Sequence, residues 1–291
     1  MKRILLVAAV IFGVGFSACA NQSNSNSQNQ KEEKMEISKK QQVVELLKAI
    51  ETGAGEPVGY INAENYKQHN LAIADGLAGF GEALAVLPKG SARVNTVRVF
   101  QDGDYVFAHT EYNFFGEKIG FDIFRFEDGK IVEHWDNLQE TPSKPNPSGR
   151  TMTDGTTEIK DLGKTADNKA LARNFVDDIL VNGKMEKLAG YFDGDNYIQH
   201  NPGIPDQLSG LGKTLDAMAK QGITMTYSHI HKVLGEGNFV LVVSEGQIGG
   251  VHSSFYDLFR IENGKIAEHW DVIEPIAPKE SWKNQNGKFG F

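Results

Sequence analysis

"DIFRFEDGKIVEHWD", residues 122 to 136, recurs as "DLFRIENGKIAEHWD" at residues 257 to 271, with 11 of 15 positions identical. Working outward, "NYKQHNLAIADGLAGFGEAL" at 65 to 84 returns at 196 to 215 as "NYIQHNPGIPDQLSGLGKTL", with 11 of 20 identical. Between these blocks, "DGDYVFAHTE" answers to "EGNFVLVVSE". The blocks keep their order at offsets of 131, 134 and 135, so one domain is written twice in tandem with small loop insertions. The identical positions include amides, imidazoles and carboxylates as well as apolar residues. A polar feature was therefore duplicated with the fold.

Each repeat opens with a helical pattern. In "KQQVVELLKAIETG", Val43, Leu46, Leu47 and Ile50 fall at i, i+3, i+4 and i+7, and Gly53 stops the run; "NKALARNFVDDILVNG" does the same up to Gly183. A second helix is expected near 77 to 87 and 208 to 220. β-branched and aromatic runs separated by turn residues follow, as in "ARVNTVRVFQDGDYVFAHTEYNFF" and "KIGFDIFRFED". Helices first and an antiparallel meander after them predict an α+β domain, twice.

In the last hairpin, a two-residue Asp128-Gly129 turn sets Asp122 opposite Trp135, and a three-residue Glu127-Asp128-Gly129 loop sets it opposite His134. The glycine at the third loop position favours the longer loop. It puts Asp122, Phe124, Phe126, Val132, His134 and Asp136 on one face, with Arg125, Glu133 and Trp135 on the other.

A length of 291 residues suits two domains. A net charge of −8 argues against nucleic acid as a partner, which calls for a basic face. "MKR", an apolar run and "SACA" read as a signal peptide over 1–20. Cys19, the only cysteine, is expected to be lipidated at a lipobox; the alternative is cleavage after Ala20 and release. The lipid anchor would be the sole membrane contact, placing a lipoprotein at the bacterial cell envelope, or otherwise in the periplasm or outside. Residues 21–36 read as a disordered tether, 37–142 as the first domain, 143–165 as a linker, 166–278 as the second domain and 279–291 as a tail.

Helices followed by "DxFRxxxGKIxEHWD" resemble the SnoaL-like branch of the nuclear transport factor 2-like superfamily, and the Tyr-x-Gln-His-Asn segments resemble its predicted aldol-condensation members. The resemblance implies two cones, each a curved sheet wrapped on helices around a pocket, able to pair as an intrachain pseudo-dimer. It implies a cofactor-free lyase or isomerase acting on a small hydrophobic or carbonyl-containing molecule, with Asp136 and Asp271 as general bases. A histidine that assists in the polyketide cyclases of the family falls on Asp122 and Asp257, a departure from their pattern.

On the residues alone, a carboxylate on an apolar wall is a candidate base, and Asp122 and Asp257 are candidates to share a proton with Asp136 and Asp271. The bland alternatives are strand-end aspartates bonded to loop amides, or a salt bridge of Asp122 to Arg125. His69 and His200, with Gln68, Gln199, Asn70 and Asn201, are candidate donors to a developing enolate, or else satisfy a turn before the second helix. His109 has Val243 as its counterpart, so it is a candidate only in the first repeat; His231 and His252 occur only in the second. His134, His269, Trp135 and Trp270 are candidate ligand contacts. His69, His109, Asp122, His134 and Asp136 offer metal-type ligands without a tight spacing motif, and neither metal nor cofactor is expected. A noncatalytic small-molecule binding protein of the envelope is the competing reading.

Overall fold

Alternating register and helix capping place each element before packing does. The computed structural model describes residues 37–87 and 90–291, so the signal-peptide, Cys19 and tether readings lie outside the described residues. Helix α1 (Lys39–Thr52) begins where Ser38 Oγ accepts the Gln41 N–H at 3.2 Å and ends at Gly53, whose φ of 69° suits a residue without Cβ. It buries Val43, Leu46 and Leu47, as their spacing predicts. Its counterpart α3 (Thr165–Phe175) runs on through a π-helical turn at Val176–Val181 to Gly183. The second helices are α2 (Gly76–Ala85) and α4 (Leu208–Lys220). Among the described residues no helix is long and apolar enough to cross a membrane.

The first repeat has strands β1 (Lys67–Gln68), β2 (Arg93–Asp102), β3 (Tyr105–Asn113), β4 (Glu117–Glu127) and β5 (Lys130–Glu140), in the order β1-β5-β4-β3-β2. The second repeats this with β6 (Ile198–Gln199), β7 (Met225–Glu236), β8 (Phe239–Ile248), β9 (Val251–Glu262) and β10 (Lys265–Pro275), in the order β6-β10-β9-β8-β7. The long strands are antiparallel, while β1 and β6 pair parallel with β5 and β10. This is the expected α+β architecture, twice.

Both faces of each sheet are covered, which is why the central strands read as nearly continuous apolar runs rather than as strict alternation. One face packs on the helices of its own repeat: Leu46 and Leu47 meet Phe124, Phe126 and Ile131, and Phe175 and Val176 meet Phe255, Phe259 and Ile266. The other faces meet each other in one shared core that contains Phe100, Phe121, Ile123 and Trp135 with Phe239, Leu241, Leu258 and Trp270. Polar groups stitch the seam: Asn137 donates to the carbonyls of Ser254 and Val272 at 3.0 and 2.7 Å, and Gln139 Oε1 accepts the Ile273 N–H at 2.9 Å.

The hairpin differs from both expected registers. Asp128 and Gly129 have φ of 49° and 74°, a two-residue turn with both central residues left-handed, and Glu127 pairs with Lys130. A β-bulge then shifts the register between Arg125 and Phe126, so Arg125 meets Glu133 and Asp122 meets Asp136. Neither His134 nor Trp135 stands opposite Asp122. The bulge corrects the three-residue loop yet preserves its consequence, because a shift of two positions returns Asp122, Phe124, His134 and Asp136 to one face. Below the bulge, Ile131 takes the place expected for Val132 beside Phe126. The second repeat has the same turn at Asn263-Gly264 and the same Asp257–Asp271 pairing.

The segments read as linker and tail are packed arms. Residues that follow the first sheet dock on the second repeat: Asn146 Nδ2 donates to the carbonyls of Gln199 and Ile204 at 2.7 and 2.9 Å. Residues that follow the second sheet dock on the first: Asn284 Nδ2 donates to the carbonyls of Asn70 and Ile73 at 2.7 and 2.9 Å. "NPSGR" (146–150) and "NQNGK" (284–288) are thus equivalent pieces, each with its glycine left-handed, φ 80° at Gly149 and 77° at Gly287. Each repeat closes its partner's Tyr-x-Gln-His-Asn loop.

Candidate functional site

The parallel pairing of Gln68 with His134, and of Gln199 with His269, turns these four side chains into the space between sheet and helices. In the first repeat they line a cavity of about 130 Å³ walled by Leu46, Leu47, Ile50, Phe80, Leu84 and Phe124, with Asn70, Tyr112, Asp122 and Asp136 as its other polar members. The equivalent cavity in the second repeat is about 60 Å³ and is lined by Phe175, Leu211, Met225 and Phe259 with Tyr197, Gln199, Asn201, Tyr227, Asp257, His269 and Asp271. A few convergent polar groups on apolar walls are the usual composition of a small-molecule site.

Hydrogen bonds fix the polar groups in one arrangement, built twice. Gln68 Oε1 accepts the Asn70 backbone N–H at 2.9 Å and lies 3.0 Å from His134 Nδ1. His134 Nε2 lies 3.1 Å from Asp122 Oδ1, and Tyr112 donates its hydroxyl to Asp122 Oδ2 at 2.6 Å. Asn70 donates to Asp136 Oδ2 at 2.6 Å, and Phe124 stacks on the His134 ring at 4.6 Å. In the second repeat Gln199 Oε1 accepts the Asn201 N–H at 2.9 Å and faces His269 Nδ1 at 3.0 Å; His269 Nε2 faces Asp257 Oδ1 at 3.0 Å; Asn201 donates to Asp271 Oδ2 at 2.7 Å. The other oxygens, Asp136 Oδ1 and Asp271 Oδ1, are buried and have no hydrogen-bond partner among the described residues.

Because Gln68 Oε1 already accepts a backbone N–H, it can only accept from the imidazole, so His134 Nδ1 carries a proton. The second ring nitrogen, Nε2, faces Asp122 Oδ1 at hydrogen-bond distance. Burial raises the Asp122 carboxyl above its ordinary range, against the opposing pull of His134. Burial likewise raises Asp271. Burial opposes a charge on His269, but the hydrogen bond to Asp257 and the charges of Asp271 and Asp257 outweigh it and raise the imidazole. Asp122, His134 and Asp136, and again Asp257, His269 and Asp271, bring one ligand atom each within 4.8 Å of one another, close enough for a cation. Nδ1 of each histidine is taken by the glutamine oxygen, so Nε2, which faces a carboxylate oxygen, is the nitrogen left either for a proton held between the two groups or for a cation.

The structure separates the other sequence candidates from these cavities. His69 follows the two-residue β1 and so faces the other side of the sheet: its Nε2 meets Glu133 Oε1 at 3.0 Å, its Nδ1 donates to the Gly287 carbonyl at 2.7 Å, and it stacks on Trp135 at 4.7 Å. His200 repeats this with Glu268, Thr151 and Trp270. Trp135 and Trp270 are fully buried in the shared core and line neither cavity. Arg125 bonds Glu133 and Glu127, not Asp122. His109 stacks on Phe121 at 4.2 Å beside Arg98, and burial together with the Arg98 charge holds its imidazole well below the ordinary value. His231 binds Glu245 and stacks on Phe289, and His252 binds the same carboxylate. Tyr112 and Tyr227 enter the site unannounced by the sequence, since they belong to the apolar pattern of their strands. Their one signal is a hydroxyl on a strand face shared with Asp122 or Asp257.

The model of the SnoaL-like domain family matches residues 43–134 and 172–269, more than half of the chain. No curated protein matches it. Among solved structures, TsrD from Streptomyces laurentii is 20% identical over 35% of this chain and 92% of its own, with a TM-score of 0.30. A putative ketosteroid isomerase from Kribbella flavida is 16% identical over 40% and 83%, TM-score 0.31, and an LEH-like epoxide hydrolase of M. tuberculosis is 19% identical over 38% and 85%, TM-score 0.30.

Proposed function

The chain belongs to the SnoaL-like domain family, and from that premise we propose that it is a cofactor-free acid–base catalyst acting next to the carbonyl of a small, largely apolar molecule. The observation that carries the reading is Asp136 Oδ1, a buried carboxylate oxygen without a hydrogen-bond partner among the described residues, on an apolar cavity where His134 Nε2 also stands 3.1 Å from Asp122 Oδ1.

In this reading Asp136 takes the proton from the carbon α to the carbonyl, the C–H electron pair forms the C=C bond of the enolate while the carbonyl π pair moves onto oxygen, and the Asp122–His134 pair supplies a proton to that oxygen. Asn70 holds the other Asp136 oxygen, and Gln68 and Tyr112 fix the imidazole and Asp122. The apolar walls keep water away, so each of these charges acts over short distances at low dielectric. Isomerisation, or aldol addition of the enolate to a second carbonyl, would both follow from the same first step.

The second reading is a noncatalytic carrier. The same apolar walls that support catalysis would hold a hydrophobic ligand, and the smaller second cavity, with Asp271 pushed towards its neutral form, suits binding better than turnover. Solvent-deuterium incorporation into a panel of β-keto and β-hydroxy carbonyl compounds separates the two: a catalyst accelerates exchange and a carrier does not. Export and lipidation at Cys19 are part of the proposal and rest on residues 1–20 of the sequence alone.

A further inference from the structure

The two cavities repeat one another in most polar contacts, though Tyr112 donates to Asp122 Oδ2 at 2.6 Å and Tyr227 to Asp257 Oδ1 at 3.3 Å, and they differ further in what stands behind the free carboxylate oxygen. Lys288, on the arm that ends the second repeat, is 5% exposed and places its ammonium 2.6 Å from Glu274 Oε2 and 3.9 Å from Asp136 Oδ1. The arm is held there by Asn284 and Asn286, which bond the backbone around Gln68, Asn70 and Ile73, and by Phe291 stacked on Trp135 at 4.5 Å. Glu274 in turn accepts the Leu138 N–H, so a carboxylate and an ammonium from the second repeat both stand behind Asp136 and Leu138, two residues that line the first cavity.

The mirrored position is built differently. Arg150 is the counterpart of Lys288, and it turns away to bind Asp206 Oδ2 at 3.1 and 3.0 Å. Gln139 is the counterpart of Glu274 and is neutral. Among the described residues Asp271 Oδ1 therefore has no hydrogen bond and no lysine or arginine ion pair, its opposing charge coming from His269, whereas Asp136 Oδ1 has the Lys288 ammonium at a distance too long for a hydrogen bond. Such a cation favours the ionised carboxylate and leaves its lone pair free.

We propose that Lys288 is a positioning residue for Asp136, supplied across the pseudo-dimer by the second repeat, and that it makes the first cavity the working one. The proposal rests on the acid–base reading above. A buried ammonium is costly unless it is paired, and here two carboxylates share it. Removing it leaves Glu274 and Asp136 facing each other without a cation, so one of them must take up a proton. Replacing Glu274 instead frees Lys288 to act on Asp136 alone. The titratable groups around Asp136 are Asp122 on β4, His134 on β5, Tyr66 before β1, Tyr112 on β3, Tyr256 on β9, Glu274 on β10 and Lys288.

The test uses the whole chain with 13C-carboxyl-labelled aspartate, the Asp136 and Asp271 signals being assigned with their Asn variants. In Lys288→Met the pH at which the Asp136 signal moves should rise by about one unit or more. Lys288→Arg should restore it, Glu274→Gln should lower it, and the Asp271 signal should stay put in all three. The acidic limb of the deuterium-exchange rate should follow the Asp136 signal. An Asp136 signal that ignores Lys288→Met and Glu274→Gln, or an Asp271 signal that moves by as much, overturns the proposal. Wild-type protein that exchanges no carbonyl compound while the Asp136 signal responds as expected counts against the reaction and supports the role of Lys288.

Discussion

Gln68 Oε1 and His134 Nδ1 lie 3.0 Å apart, and the amide oxygen is already committed to the Asn70 N–H. The contact sets the tautomer of the imidazole without reference to substrate, and Gln199 does the same for His269. Ring-nitrogen NMR should therefore show Nδ1 of both histidines protonated at neutral pH. Gln68→Met should release that constraint at His134 alone and lower any exchange activity by about 10²-fold. An unprotonated Nδ1 in the wild type would contradict the pairing.

Burial of Asp271 makes a stability prediction with a definite sign. Its carboxyl is raised in the folded chain, so the folded state binds more proton than the unfolded state between the two values, and stability falls as pH rises through that window. Asp271→Asn removes the penalty. It should raise Tm by roughly a few degrees at pH 7.5 and by clearly less at about pH 3.5, below the ordinary carboxylate value, where a raised carboxyl is protonated in the folded chain. Thermal unfolding at the two pH values reads this directly, and an equal gain at both would contradict the burial account.

The reciprocal arms predict that damage appears in the opposite repeat. Asn284→Ala strips a donor from the carbonyls of Asn70 and Ile73, and Asn146→Ala strips one from those of Gln199 and Ile204. Each should cost about 1–3 kcal/mol. Hydrogen exchange should quicken at residues 68–75 in the first variant and at 199–206 in the second. Faster exchange confined to the arm's own repeat would mean that the arms do not support the loops they touch.

For localisation, metabolic lipid labelling should mark the wild type and not Cys19→Ala. Equal labelling, or none in either, would point to release after Ala20 instead.

The duplication, the helices and the face shared by Asp122, His134 and Asp136 were legible because each depends on local pattern: apolar spacing, a glycine stop, two-residue periodicity. The bulge at Ile131 and Val132 was not, since nothing in Glu-Asp-Gly-Lys signals an extra residue beyond the turn. His69 reads as a pocket residue because it sits between Gln68 and Asn70. Only the parallel pairing of β1 with β5 shows that its ring belongs to the other face, with Glu133 and Trp135. The arms carried a visible signal in "NPSGR" and "NQNGK". Their meaning, a crossing from one repeat to the other, exists only once the two sheets have packed.

The most direct measurement of the central claim is the rate of α-proton exchange into D2O for β-keto and β-hydroxy carbonyl compounds, on the wild type, Asp136→Asn, Asp271→Asn and the double variant. Asparagine keeps the shape and the contact with Asn70 or Asn201 while removing the proton acceptor. We expect Asp136→Asn to slow exchange by about 10²-fold or more with little change in substrate affinity, Asp271→Asn to leave most of it, and the double variant to match Asp136→Asn. A double variant that exchanges as fast as the wild type would show that neither aspartate is the base.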